Sequence, residues 1–258
     1  MNFFKAMVGL IGFGLTISLT GMWHDIPFSW VCLFLLSGTI GLGIGDILLL
    51  KAFSALGAGR TLILFSFQPL ILGIMSYFAF DQMLDSRKFL AIFFFILCVA
   101  ITSLEGFKKD KKWQATGIAL ALGGILLDAT GLIITRYTFD NNPEISSLEG
   151  NFYRCLGAII FFLFLSRVRP YNILNQFKEL NLKNRFMVIL GGFLGTYLSL
   201  ALYLHAVQKA HLASLAGVAI TGTIFSNIVE CLVEKKYPSK YLLVSLIFFA
   251  FGMNFLIF

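Results

Sequence analysis

The chain has 258 residues, of which 58% are hydrophobic and 13% are charged, and its formal net charge is +7. A soluble domain is about half apolar and about a quarter charged, because its surface must be largely polar. The composition therefore excludes an ordinary soluble domain and indicates that lipid surrounds most of the side chains. The positive charge does not indicate nucleic acid as a partner, because the basic residues lie between apolar runs and form no basic face.

Continuous apolar runs divide the sequence into segments of about the 20 residues that a membrane-spanning helix requires. These runs lack the alternating pattern of a membrane β-barrel, so we predict an all-α integral membrane fold with about nine transmembrane helices. The predicted helices are residues 3–22, 28–50, 61–80, 89–105, 115–136, 152–166, 186–204, 212–233 and 241–258. The sixth is expected to begin earlier, near Leu148, so that its first turns contain Arg154. The first has no small-residue cleavage site after it, which favours a retained helix over a signal peptide.

The sequence contains no motif for enzyme or ATP chemistry. Its four cysteines lie in or beside apolar runs without a Cys-x-x-Cys pair, and its three histidines are scattered, so we expect no metal site. A Walker Gly-x-x-x-x-Gly-Lys, a Gly-x-Ser-x-Gly elbow and a His-Glu-x-x-His motif are all absent. We therefore expect no cofactor and no catalytic residue, and predict that the protein is not an enzyme.

The sequence repeats weakly at an interval of about 150 residues. The similar pairs are 2–5 with 151–154, 41–45 with 191–195, and 85–88 with 237–240. Corresponding helices are five apart, an odd number, so the two halves would cross the membrane in opposite directions, an inverted repeat typical of secondary transporters. We predict a first repeat over 1–105, a basic loop over 106–114 and a second repeat over 115–258.

The two predicted repeats are unequal, because the first contains four helices and the second contains five. Segment 115–136 precedes the second repeat's Asn151, whereas no helix precedes Asn2. The first helix of a ten-helix unit is therefore expected to be missing, either lost or encoded upstream.

Charge bias predicts an orientation in the membrane. With Lys5 and the loops around 51–60, 106–114, 167–185 and 234–240 on one side, that side carries 15 of the 20 Lys and Arg residues. The positive-inside rule then places the N-terminus in the cytoplasm and the C-terminus outside.

Four short motifs in the first half follow one another in a recognisable order. They are Gly43 to Phe53, Gly57-Ala58-Gly59-Arg60, Gln68-Pro69, and Phe80 to Leu84. Together they resemble the EamA-type domain of the drug/metabolite transporter superfamily. Members of that superfamily show a Gly-Asp opening a helix, a Gly-Ala-Ser-Arg-like turn, a mid-helix proline and a Leu-Gly-Glu-like ending. The second half resembles a decayed copy, with the turn at 210–214 and the ending at 230–235.

The resemblance implies ten helices in two five-helix inverted repeats. It also implies import or export of a small organic solute or metabolite by alternating access around a central cavity, without ATP hydrolysis. The solute and the lipid bilayer would be the partners, and the location would be a bacterial plasma (inner) membrane, crossed several times.

The chain departs from the family pattern in four ways. The first helix is missing, Ala79-Phe80-Asp81 replaces Leu-Gly-Glu, Ile220-Thr221 replaces the second-half proline, and the charge count disagrees with the common N-in, C-in topology. The first helix of each half helps to line the cavity in this fold, so a truncated non-transporting relative, or a subunit completed by a partner, stays open as an alternative. A second alternative is a membrane-embedded enzyme acting on lipid or a lipid-linked group.

Three acidic residues, Asp46, Asp128 and Glu230, lie within apolar runs. A carboxylate at bilayer depth costs about 3 kcal/mol, so such residues usually face the bundle interior and have a role. Asp128 lies deepest, about 20 Å into its helix. It either binds a cationic group of the substrate or carries a proton, or it is a neutral acid hydrogen-bonded to a neighbouring helix. For Asp46, which follows Gly41-x-x-x-Gly45, the alternative is packing, and for Glu230 it is a position at the membrane border.

Five further residues are candidates for the substrate site. Arg154 either binds a substrate carboxylate or extends to the membrane interface. Gln68, with Pro69, either kinks its helix around a cavity or only packs. The remaining candidates for polar lining are Tyr197, Thr221 and Asn227.

Overall fold

The computed structural model describes residues 2–107, 114–168, 181–235 and 237–257, and these ranges are mostly helical. Two long helices are interrupted by π-helical stretches, which we label π1 and π2. The elements are α1 (Asn2–Thr20), α2 (Phe28–Gly38), π1 (Thr39–Gly45), α3 (Asp46–Leu56), α4 (Ala58–Phe65), α5 (Gln68–Phe80), α6 (Ser86–Phe107), α7 (Ala115–Asn141), α8 (Ser147–Val168), α9 (Leu182–Gly192), π2 (Phe193–Leu198), α10 (Ser199–Lys209), α11 (Leu212–Ile220), α12 (Gly222–Glu234) and α13 (Lys240–Ile257).

Seven helical stretches in the described ranges are long and apolar enough to cross a membrane, which confirms the predicted all-α membrane fold. They are Asn2–Thr20, Phe28–Leu56, Ala58–Phe80, Ala115–Asn141, Ser147–Val168, Leu182–Lys209 and Leu212–Val233. The other two predicted segments are also helical, as α6 and α13, but are not among these seven, so the number nine stays a prediction. The sixth helix begins at Ser147, one residue from the predicted Leu148. Most residues of the two predicted breaks, 108–112 and 167–185, lie outside the described ranges.

The chain divides into two compact units, and each unit takes elements from both halves of the sequence. Unit 1 consists of Met1–Asp46 and Thr130–Lys209, and unit 2 consists of Ile47–Ala129 and Ala210–Phe258. The units therefore do not coincide with the predicted repeats, and the division into repeats stays a prediction.

Unit 1 depends on the close approach of α2 and α8. A Cβ atom added at Gly38 would overlap the backbone carbonyl of Arg154, and one added at Gly157 would overlap that of Leu35. The hydroxyl of Thr39 also donates to the Gly157 carbonyl over 3.1 Å. Small residues let helices approach in lipid, where no hydrophobic effect drives them together.

Unit 2 is built on the packing of α6 against α13. The ring of Phe95 is fully buried and fills the space that a side chain at Gly252 would need. Beside it, the rings of Phe94 and Phe255 lie nearly parallel, with centroids 5.5 Å apart. Aromatic stacking of this kind contributes packing energy beyond the area it covers.

The two π-helical stretches occupy equivalent positions in the two halves of the sequence. They begin at Thr39 and Phe193, an interval of 193 − 39 = 154 residues. This interval pairs Gly41 with Gly195, whereas the sequence comparison paired it with Gly191, which is about one helical turn away. A π-helical turn is rare and occurs often at functional sites.

The turns that precede α6 and α13 recur at the same interval. Asp81 and Lys235 (235 − 81 = 154) both adopt the left-handed conformation at a helix C-cap, with φ of 52° and 50°. Four residues later, the side chains of Asp85 and Ser239 each accept a hydrogen bond from the backbone N–H three residues on, at 2.7 and 3.2 Å. The two helices therefore begin with equivalent N-caps, one ionisable and one not.

The backbone N–H of Lys88 holds the pKa of the Asp85 carboxyl below its ordinary value of 3.8, and the Lys88 ammonium, 3.5 Å away, acts in the same direction. Because the pKa is lower in the folded state than in the unfolded state, the ionised carboxylate stabilises the fold above the unfolded pKa. That stabilisation is lost as the pH falls through the folded pKa.

We expect Gly157→Ala to lower the free energy of unfolding in detergent by about 1–3 kcal/mol, because the added methyl group forces α2 away from α8. Thermal unfolding of the purified protein measures this change. The control is Gly191→Ala, where an added Cβ contacts no described atom within 4 Å and the helix propensity improves. Equal losses in the two variants would contradict the close crossing.

We expect Asp85→Ser to lower the melting temperature at neutral pH and to lose this effect in acid, because only the native cap is charged. Melting temperatures in detergent from neutral pH to below 3.8 test the expectation. The control, Ser239→Ala, removes an uncharged cap and should lower the melting temperature equally at every pH. A difference between Asp85→Ser and the native protein that persisted unchanged in acid would contradict the prediction.

Candidate functional site

Two of the predicted site residues contact each other in unit 2. Asp128 lies at the centre of α7, with 13 residues of helix on either side (128 − 115 and 141 − 128). The amide Nε2 of Gln68 donates to its Oδ2 over 2.6 Å. Gln68 is buried, with 5% of its surface exposed, and Asp128 is half-buried.

A break in the helix positions Gln68. Helix α4 ends at Phe65, the chain makes a turn, and α5 begins at Gln68 with Pro69 in its first turn. Proline fits there because the first N–H groups of a helix have no partner within the helix. The helix is therefore broken immediately before Gln68, and a role of Gln68 and Pro69 around a cavity stays a prediction.

The Gln68–Asp128 pair accommodates a change in protonation. An amide N–H can donate to an ionised carboxylate and, more weakly, to the carbonyl oxygen of a protonated carboxyl group. Asp128 can therefore gain or lose a proton while its bond to Gln68 persists. Within the described ranges, no cluster of three or more His, Cys, Asp or Glu side chains could hold a metal ion.

Asp46 lies in unit 1, on the wall of a mostly apolar cavity of about 150 Å³. It is the first residue after π1. Lys5 of α1 and Thr196 of π2 line the same cavity. Helix α7 approaches π1 closely at Gly41, because a Cβ added at Gly131 would come within 3.3 Å of the Gly41 Cα.

Arg154 is buried in unit 1, with 1% of its surface exposed. The crossing of α2 over α8 brings Gly38 against the Arg154 backbone and covers this part of the helix. Both roles considered for Arg154, binding of a substrate carboxylate and a position at the membrane interface, stay predictions.

Tyr197 lies in π2 and contacts α1 in unit 1. Its hydroxyl lies 2.6 Å from that of Thr16, and its ring centroid lies 5.0 Å from that of Phe13. The contacts fix π2 against α1, and a role of Tyr197 in lining a substrate site stays a prediction.

The three candidates in α11 and α12 are placed separately. Thr221 is buried at the junction of the two helices and donates to the Val218 carbonyl over 2.6 Å. Asn227 is half-buried in α12. Glu230 also belongs to α12, but its side chain lies outside what the structure describes.

The sequence reasoning missed Glu149, a completely buried acid in the first turn of α8. It exchanges hydrogen bonds with Ser146, whose backbone N–H donates to Oε2 over 3.0 Å. Its carboxylate also accepts from the backbone N–H of His24 and contacts the His24 Nδ1, both at 2.8 Å. Ser-x-x-Glu before an apolar run is the signature of a capping box, so the sequence contained the signal.

His211 joins two turns of unit 2. Its Nε2 lies 3.2 Å from the Met83 carbonyl, and the next backbone N–H, that of Leu212, donates to the Gln82 Oε1 over 3.1 Å. Burial lowers the pKa of His211, and the Lys88 ammonium lowers it further. The contacts of His211 and Leu212 join the turn after α5 to the start of α11.

Comparison with known proteins confirms the resemblance over the first part of the chain. Residues 1–104 match the model of the EamA-like transporter family. No curated protein matches the chain. One protein of known crystal structure superposes with a TM-score of 0.78 over 98% of this chain and 86% of its own, at 11% identity, which is evidence for a shared fold alone.

The fold and the family match together define a multi-pass integral membrane protein. The match covers residues 1–104 of the 258, so it shows what the first part of the chain is similar to.

We expect a coupling free energy of about 0.6–1.7 kcal/mol between Gln68 and Asp128, which are the average and the maximum measured for side-chain hydrogen bonds between membrane helices. A double-mutant cycle of Gln68→Ala and Asp128→Ala, read by unfolding in detergent, measures it. In the control cycle, Asp81→Ala at the other end of α5 takes the place of Asp128→Ala. The changes in the free energy of unfolding caused by Gln68→Ala and Asp81→Ala should add. Additivity in the first cycle would show that the pair does not interact.

Proposed function

We propose that the protein is a secondary transporter of a small organic solute or metabolite that works by alternating access. In this proposal Asp128 binds a cationic group of the solute or carries the coupling proton, and Gln68 orients the Asp128 carboxylate. The observation that supports the proposal most strongly is the 2.6 Å hydrogen bond between these side chains, at the centre of an apolar helix of 27 residues.

The energetics favour a functional role for Asp128 over a purely structural one. A carboxylate in the middle of a membrane helix costs about 3 kcal/mol. A side-chain hydrogen bond between membrane helices contributes about 0.6 kcal/mol on average. Asparagine or serine would provide such a bond without a carboxylate. The carboxylate is therefore better explained by charge or proton binding than by packing.

The interrupted helices support alternating access. Secondary transporters commonly build their sites from discontinuous helices in corresponding positions of two halves. Here α4–α5 and α11–α12 are broken helices whose first residues, Ala58 and Leu212, lie 212 − 58 = 154 residues apart. The same interval separates π1 and π2. We therefore retain the two repeats, 1–105 and 115–258, as part of the proposal, with the remaining candidates Arg154, Tyr197, Thr221, Asn227 and Glu230 as residues to test.

The test is efflux from proteoliposomes filled with a radiolabelled extract of small cell metabolites, which requires no prior choice of solute. We expect protein-dependent release of label that changes with the pH gradient. Asp128→Asn, which keeps size and hydrogen bonding but removes the titratable group, should abolish the pH dependence or lower the rate at least about tenfold.

Asp81→Asn is the matched control, because Asp81 is exposed and its left-handed conformation suits asparagine. It should transport like the native protein. Native-like pH dependence and rate in Asp128→Asn would remove Asp128 from the site. No release by folded, monodisperse native protein would favour the non-transporting alternative.

A further inference from the structure

Two hydrogen bonds join the turn after α5 to the start of α11 in unit 2. The Nε2 of His211 lies 3.2 Å from the Met83 carbonyl oxygen. The backbone N–H of Leu212 donates to the Gln82 Oε1 over 3.1 Å. Because His211 and Leu212 are neighbours in the chain, a movement of the histidine ring would disturb both bonds.

The bond to Met83 determines which nitrogen of the ring carries the proton. A carbonyl oxygen only accepts hydrogen bonds, so the Nε2 of His211 donates, and in the neutral ring the Nδ1 is then unprotonated. This Nδ1 is buried and has no hydrogen-bond partner among the described residues. Protonation of the ring would therefore place an N–H group where no acceptor is available, which is costly.

Among the described residues, two charged groups face the His211 ring, and both lie at the start of α6. The Lys88 ammonium opposes a positive charge on the ring, whereas the Asp85 carboxylate and the backbone contacts with Met83 and Gln82 favour one. Burial has the largest effect and Lys88 the next, so the pKa of His211 lies below its ordinary value of 6.5.

The same turn also controls how closely α5 and α11 pack. A Cβ added at Gly73 of α5 would come within 2.8 Å of the Leu84 side chain and within 3.3 Å of the Ala213 Cβ. Leu84 belongs to the turn that His211 holds. Release of the turn would therefore loosen the packing of α5 on α11.

We propose that His211 is an acid-sensitive latch in unit 2. Its neutral ring holds the turn after α5 against the start of α11. The protonated ring does not fit there and leaves, so the bonds that Met83 and Gln82 accept are lost together.

The direction of the response follows from the lowered pKa. The closed latch is fully stable above about pH 6.5, where the ring is neutral whether the latch is closed or open. Its stability is lost as the pH falls through the pKa of His211 in the folded protein. Asp85 does not titrate in this range, because its pKa lies below 3.8.

The other end of unit 2 has no equivalent histidine. The interval of 154 residues pairs His211 with Gly57 (211 − 57) and Met83 with Tyr237 (237 − 83). Gly57 has no side chain, and Tyr237 is 96% exposed. In the predicted orientation the end with His211 faces away from the cytoplasm, so the latch would respond to the pH on that side.

Hydrogen exchange of the purified full chain in detergent tests the proposal. The protection factor compares the observed exchange rate with the intrinsic rate at the same pH. For segments 82–90 and 208–216 it should fall severalfold between about pH 7.5 and about pH 5. The fall should not exceed about thirtyfold, the limit set by an ordinary histidine pKa of 6.5.

His211→Gln separates protonation from the hydrogen bond. The glutamine Nε2 can still donate to the Met83 carbonyl but cannot take up a proton in this range. Protection should therefore stay constant between the two pH values. The matched control is His205→Gln, which changes an exposed histidine of α10 and should keep the native loss of protection in acid.

Two charge variants should act in opposite directions. Lys88→Gln removes the charge that opposes protonation in the closed latch, so the loss of protection in acid should become smaller. Asp85→Asn removes the charge that favours protonation, so the loss should become larger. Asparagine keeps the N-cap of α6 in this variant.

Three results would overturn the proposal. They are native protection that does not change with pH, a native loss of protection in His211→Gln, and the same effect from Lys88→Gln and Asp85→Asn. If His211→Gln did not fold, the two charge variants would decide. None of these measurements involves Asp128 or the release of metabolites, so this test and the test of transport can fail separately.

Discussion

The whole molecule depends on one constraint, which is that lipid offers no hydrogen bonds. Every backbone group must find its partner within the chain, so the described ranges are mostly helical. Some of the helices begin with side-chain caps, such as Asp85, Ser239 and the Ser146–Glu149 box. Contacts between helices then depend on small residues and on a few polar pairs, because apolar side chains gain little by leaving lipid for one another.

The helices could be predicted from the sequence because a membrane-spanning helix requires an apolar run of sufficient length, and this length is visible in the sequence itself. Seven of the predicted segments are confirmed as helices of spanning length and composition. The acids within them could be singled out for the same reason, since a charge interrupts such a run. Glu149 was not predicted as a buried acid because it lies at the edge of an apolar run, where charged residues are common. Only the capping-box pattern distinguishes it from them.

The environment of each polar residue could not be predicted, because it depends on which helices cross. Arg154 looked close to a membrane interface by its distance from a loop, yet the approach of Gly38 covers it. Gln68 and Asp128 were each identified alone, and only the fold brings together two residues that are 60 positions apart. The cavity beside Asp46 likewise requires the registers of α1, π1 and π2, none of which a single helix encodes.

A π-helical stretch turns the chain less per residue than an ordinary α-helix does. If the seven residues Thr39–Gly45 were rewound as α-helix, every later residue would rotate about the helix axis by about 100°, the angle of one α-helical residue. Asp46 would then point a quarter turn or more away from the cavity wall, with no change in its own chemistry. The direction of this carboxylate relative to α2 is therefore set by the widened turns that precede it.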